Sequence, residues 1–120
     1  MATILVVDDV NSERELMSSY LEGEGYLVIR ACNGQEGLEK VLSHKPDLVI
    51  TDLVMPDMNG LELCRAIRKN PQTEKIPIVA CTSKNQELDR MWGLKQGLSL
   101  YLTKPYTREE VVRAIKSLIP

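Results

Sequence analysis

Cysteine is scarce: Cys32, Cys64 and Cys81 are odd in number, widely spaced and free of any C-x-x-C pair. That pattern argues against a metal clip and against a disulfide framework, and a reducing cytosol is the expected compartment. An excess of one charge is also lacking. The chain has 15 basic and 17 acidic side chains, with no basic block and no aromatic-basic interleave. A nucleic-acid surface held by charge is therefore not expected. No apolar run approaches the ~20 residues that span a bilayer. The opening "MATILVV" has no cationic n-region, so neither a leader nor membrane insertion is expected. Linkers, repeats and low-complexity segments are missing too. A chain of 120 residues has room for one core and not two, so a single domain over 1–120 is expected.

What the chain does contain is a rhythm of β-branched runs. They are Ile4-Leu5-Val6-Val7, Tyr26-Leu27-Val28-Ile29, Leu48-Val49-Ile50, Ile76-Pro77-Ile78-Val79 and Leu100-Tyr101-Leu102. Several are continuous and not alternating, as parallel strands covered on both faces should be. Between them, apolar residues recur at helical spacing: Leu16, Tyr20 and Leu21; Leu38, Val41 and Leu42; Leu63 and Ile67; Leu88, Met91 and Trp92 with Lys95; Val111, Val112, Ile115 and Leu118. Capping-box patterns stand at Asn33-x-x-Glu36, Ser83-x-x-Gln86 and Thr107-x-x-Glu110. Gly25 and Gly97 follow helices where a left-handed cap favours glycine. The expected fold is α/β, five βα units wound by right-handed crossovers into an open parallel sheet. Periodicity alone leaves the strand order open.

In such sheets the functional crevice lies beyond the carboxyl ends of the strands. Those ends carry Asp8 and Asp9, then Asp52, Thr82-Ser83 and Lys104-Pro105. Each has a plain structural role open to it. An aspartate at a strand end can cap a helix or form a turn, a hydroxyl can cap the next helix, and a lysine before proline can be a solvated loop residue. Taken together they say more. Clustered carboxylates raise one another's pKa unless a cation sits among them. A hard, oxygen-loving ion of the Mg2+ type suits the cluster, and such an ion ordinarily keeps phosphate company. A carboxylate can itself be the nucleophile, giving an aspartyl phosphate, with the metal and Lys104 neutralising the developing charge.

The segments "ILVVDD" (4–9), "PDLVITDLVMPDMNG" (46–60), "IPIVACTS" (76–83) and "YLTKP" (101–105) together resemble the receiver domains of bacterial two-component response regulators, of the CheY type. The resemblance runs from end to end of the chain. It implies a flavodoxin-like (βα)5 sheet in the order 2-1-3-4-5. By matching position it makes Asp52 the phosphoacceptor, and Asp8, Asp9, Asp52 and the carbonyl of Val54 the Mg2+ ligands. Thr82 and Lys104 would contact the phosphoryl group, with Thr82 and Tyr101 as the switch. It also implies a cis Lys104–Pro105 bond and a sensor histidine kinase as the phosphate source. The stretch "TSKNQELDRMWGLKQG" (82–97) is similar to stand-alone receivers of motility systems, of the PilH and PilG kind.

The expected function is thus a phosphorylation-switched signalling module, signalling through the face of the fourth helix, fifth strand and fifth helix. It would be no enzyme beyond its own Mg2+-dependent phosphorylation and dephosphorylation. Met1 and the ending "SLIP" favour a complete or nearly complete receiver, a monomer or weak dimer with an unidentified protein target. A phosphorelay intermediate and a degenerate scaffold are the alternatives. A metal-dependent phosphohydrolase is less favoured, since Asp8-Asp9-Val10 is not the D-x-D of haloacid-dehalogenase-type enzymes. Flavin binding would need a phosphate-cradling loop where "DDVNSER" offers acids. Two departures from the family pattern bear on the partner face. Leucine stands at 98 and 100, where a small residue and a Gly or Asp are usual. Either the entrance to the fifth strand is repacked, or extra apolar surface is exposed there.

Overall fold

The computed structural model describes residues 1–120, and its strands and helices alternate strictly. They are β1 (Thr3–Val7), α1 (Asn11–Gly23), β2 (Leu27–Ala31), α2 (Gly34–His44), β3 (Leu48–Thr51), α3 (Gly60–Lys69), β4 (Ile78–Thr82), α4 (Glu87–Lys95), β5 (Leu100–Thr103) and α5 (Arg108–Leu118). All strand pairings are parallel and the order is β2-β1-β3-β4-β5. This is the flavodoxin-like arrangement. β4 starts two residues later than the apolar run at 76 suggests and continues through Thr82, because Ile76 and Pro77 belong to its entrance.

Alternation within each strand divides the interior into two cores. Leu5, Val7, Val49, Ile78 and Ala80 face one side, where Val41 of α2 and Leu63 and Ile67 of α3 cover them. Ile4, Val6, Leu48, Ile50, Val79 and Cys81 face the other, under Met17 and Leu21 of α1 and Val111 and Ile115 of α5. A strand with apolar residues at every position is buried on both faces, which is why these runs do not alternate.

The helix ends are set locally. Thr107 and Glu110 form the full reciprocal capping box before α5, and Asn59 with Glu62 forms another before α3. At α2 only half of the expected box closes. Asn33 accepts from the Glu36 N–H, while the Glu36 carboxylate takes the N–H of Cys32 and not that of Asn33. Ser83 caps nothing: α4 begins at Glu87, and Gln86 before it makes no side-chain cap. Gly25 and Gly97 do adopt positive φ, 90° and 111°. Lys104–Pro105 is cis.

Helix α4 departs most from its pattern. Leu88, Met91 and Leu94 are exposed, and Trp92 is 56% exposed, so the apolar spacing there does not mark a core face. The core contact of this helix comes from Gly93, which lets Leu98 and Tyr101 approach. Leu98 is only 5% exposed and Leu100 is half-buried against the α1–α5 core. The two unusual leucines therefore repack the entrance to β5. The exposed apolar surface in this region lies on α4.

Candidate functional site

Strand register assembles the site. Val7 pairs with Thr51 and Thr51 with Ala80, so Asp8 and Asp52, one residue beyond β1 and β3, emerge side by side. The Asp52 N–H donates to the Val7 carbonyl at 3.1 Å, continuing the ladder past the last paired residues. Thr82 pairs with Thr103 across β4 and β5, and the Lys104 N–H reaches the Thr82 carbonyl at 2.8 Å. Asp8, Asp52 and Thr82 are buried. Asp52 lines a cleft of about 430 Å³ together with Glu13, Leu16, Ser83, Lys104, Pro105 and Tyr106.

Lys104 reaches back over the acids. Its Nζ donates to Glu13 Oε2 at 2.6 Å, Asp52 Oδ2 at 3.0 Å and Asp8 Oδ2 at 3.1 Å. The other oxygens of the two aspartates are held by their own turns: Val10 N–H donates to Asp8 Oδ1 at 2.9 Å and Val54 N–H to Asp52 Oδ1 at 3.1 Å. Arg14 adds a bond to the Asp8 carbonyl at 2.8 Å. Burial pushes the Asp8 carboxyl above its usual range, with the Val10 N–H and Lys104 pulling partly back. Burial alone would lower the Lys104 pKa, but its bonds to Glu13 and Asp52 hold it well above the usual value. Both shifts are upward because burial outweighs the favourable partners of Asp8, whereas at Lys104 the carboxylate partners outweigh burial.

Carboxylate oxygens of Asp8, Glu13 and Asp52 all lie within 4.8 Å of one another. An all-oxygen, anionic donor set of this size fits a hard divalent cation such as Mg2+. Asp9 is exposed and stands outside that group, whose third member is Glu13. Sequence reasoning passed over Glu13 because an acid in the first turn of a helix is ordinarily a favourable partner of the helix dipole. The available signal was its place in the first turn of α1, at the same sheet edge as Asp8.

Thr82 and Tyr101, the pair expected to act as the switch, occupy the neighbouring corner. Thr82 Oγ1 accepts from the Lys84 N–H at 3.4 Å. The Tyr101 ring lies inward beneath α4, and its hydroxyl donates to the Lys84 carbonyl at 2.7 Å. Arg90 sits 5.9 Å above that ring. One short loop thus links the Thr82 hydroxyl to the tyrosine.

An open parallel sheet with paired acids, a buried aspartate and a lysine at its carboxyl edge is the architecture of a signalling receiver, and the sequence agrees. The profile of the response regulator receiver domain matches residues 4–116, and the chain belongs to that family. It is 40% identical over 119 residues to protein PilH of Pseudomonas aeruginosa, covering 99% of this chain and 98% of that protein. It is also 40% identical over 116 residues to the alkaline phosphatase synthesis transcriptional regulatory protein PhoP of Bacillus subtilis, covering 97% of this chain but 48% of PhoP. The chain therefore spans nearly all of one curated relative and about half of the other. Among solved structures, the chemotaxis protein CheY4 of Vibrio cholerae superposes with a TM-score of 0.94 at 32% identity, over 99% of both chains.

Proposed function

We propose that this receiver accepts a phosphoryl group on Asp52 from a sensor histidine kinase, with Mg2+, and signals through the face of α4, β5 and α5 in a motility or taxis system. The observation that carries this reading is the Lys104 ammonium, 3.0 Å from Asp52 and 3.1 Å from Asp8 at the mouth of an open cleft. Asp52 keeps one oxygen on the Val54 N–H and the other on Lys104 Nζ, and it lines the cleft. In the transfer, an Asp52 oxygen forms a new bond to phosphorus while the P–N bond to the donor imidazole breaks. The electron pair of that bond stays on the nitrogen, which leaves as neutral imidazole after taking up a proton.

By the family resemblance the ion would be held by Asp8, Asp9, Asp52 and the Val54 carbonyl, and Glu13 is the member of the observed acidic cluster that this ligand set does not include. Bound Mg2+ supplies positive charge against the oxygens of the transferring group. Lys104 supplies the second positive charge. Thr82, with its hydroxyl committed only to the 3.4 Å bond from the Lys84 N–H, is the donor free to turn toward the new phosphoryl oxygens. That movement pulls on the loop whose Lys84 carbonyl is bonded to Tyr101, biasing a two-state equilibrium of α4. The motility assignment rests on the similarity to PilH along nearly the whole chain. The degenerate-scaffold alternative is disfavoured because Asp8, Asp9, Asp52, Thr82 and Lys104 are all present.

Intact-mass measurement after acetyl phosphate tests the proposal. The expected result is one phosphoryl adduct that requires Mg2+ and is absent from Asp52→Asn. An Asp52→Asn protein gaining the same mass at the same rate would overturn the assignment. Phosphorylation is expected to change the fluorescence of Trp92 on α4, and Thr82→Ala is expected to be phosphorylated without that change.

A further inference from the structure

The geometry points to Glu13 as a positioning residue that competes with the phosphoryl group for Lys104 and so restrains the phosphorylated state. The inference rests on Asp52 being the phosphoacceptor. An ammonium has three N–H donors, and here all three are committed, one each to Glu13, Asp52 and Asp8 at 2.6, 3.0 and 3.1 Å. Phosphorylation at Asp52 Oδ2 frees the one donor now on that oxygen, and a phosphoryl group that draws Lys104 more closely must take a second donor from Asp8 or Glu13.

The three partners are not equally able to let go. Asp8 and Asp52 are fixed at strand ends, each with its second oxygen tied to a backbone N–H. Their side chains are 9% and 11% exposed. Glu13 sits on the first turn of α1 with its side chain 41% exposed, and its bond to Lys104 is the only side-chain hydrogen bond it makes. Released, Glu13 returns to water, whereas a released Asp8 would be a buried carboxylate without its cation. Glu13 is thus the partner that yields. Its contact is also the shortest of the three, so the unphosphorylated state holds Lys104 most closely through the group that must be given up.

Glu13 therefore acts through Lys104 and not on the phosphoryl group itself. Replacing it removes a competitor, so Lys104 becomes more available to an anion on Asp52. Losing one half-exposed charge-assisted contact corresponds to about fivefold in affinity, ~1 kcal/mol at 25 °C.

The test measures beryllofluoride affinity by fluorine NMR, with Mg2+ held at concentrations that calorimetry shows to saturate each variant. Glu13→Gln is expected to bind the phosphoryl analogue about fivefold more tightly than the wild type. Glu13→Asp keeps the charge but withdraws it by one methylene, and it should show most of the same gain. Both changes lie on a half-exposed helix surface, and unaltered thermal melting confirms that folding is intact. Wild-type binding with unchanged affinity in Glu13→Gln overturns the inference alone. A gain in Glu13→Gln with none in Glu13→Asp also overturns it, because the effect is then through-space charge and not a contact. Wild-type protein that binds no beryllofluoride overturns the reading of Asp52, and this inference with it.

Discussion

Gly93 and Leu98 form a size-complementary pair, and exchanging the small member should change sign with the large one. A Cβ built on Gly93 would lie 2.6 Å from Leu98 Cδ1, while the Tyr101 ring at 3.6 Å is at ordinary contact distance. At 2.6 Å something must move. An exposed leucine would simply rotate, but Leu98 is buried among core side chains. Forcing a methyl group into such a place costs about 1–3 kcal/mol. Against this, alanine is about 1 kcal/mol better than glycine inside a helix. Gly93→Ala alone should therefore destabilise by about 0–2 kcal/mol. Leu98→Ala should cost about 2–5 kcal/mol through lost burial and a cavity. In that background the obstructing methyl is gone, and Gly93→Ala should now stabilise by about 0.5–1 kcal/mol. Urea unfolding of the four proteins at a common m-value gives the coupling, expected at about 1–3 kcal/mol. If Gly93→Ala has the same effect in both backgrounds, the packing argument is wrong.

Arg68 ties three segments together without a carboxylate, donating to the carbonyls of Glu74, Ile76 and Gly97 at 2.7–3.1 Å. Arg68→Met should cost about 1–2 kcal/mol, since the part-buried carbonyls of Ile76 and Gly97 lose a charged donor; a change within error in urea unfolding would refute this. Burial pushes the Cys81 thiol up to about 12, and Cys64 is buried too while Cys32 is exposed. Mild alkylation of the native protein should therefore add one adduct, at Cys32, and three only after denaturation. The Glu36 carboxyl lies below its usual 4.5, chiefly because it accepts the Cys32 N–H. A lowered folded-state pKa contributes stability above the unfolded value that is lost as pH falls through the folded one. Glu36→Gln should accordingly cost stability at neutral pH and little once the medium is acid enough to protonate the native carboxylate. An equal cost at both would show that its charge is irrelevant.

Much of this molecule was legible in one dimension. The apolar runs of β1, β3 and β4 are continuous because those strands are covered on both faces, while the edge strands β2 and β5 are only part-buried. The carboxyl-end rule then placed Asp8, Asp52, Thr82 and Lys104 at one edge before any distance was known. Glycine at 25 and 97 marked left-handed caps through its steric freedom alone. These features are local, or follow from alternation along a strand, and so they survive in a sequence.

Tertiary structure decided what depends on where long side chains end. Asp9 and Glu13 are both acids close to β1, and nothing in their order says which one faces Lys104. The direction of the first turn of α1 brings Glu13 to 2.6 Å from Nζ and leaves Asp9 exposed. The spacing of Leu88, Met91 and Trp92 reads as a core face, yet these side chains lie on the surface. Periodicity reports that apolar residues share a face of a helix, not which way that face is turned. That orientation was fixed by a glycine, since only Gly93 lets α4 settle against Leu98 and Tyr101. Close approach is a property of two surfaces at once, and a sequence describes only one of them at a time.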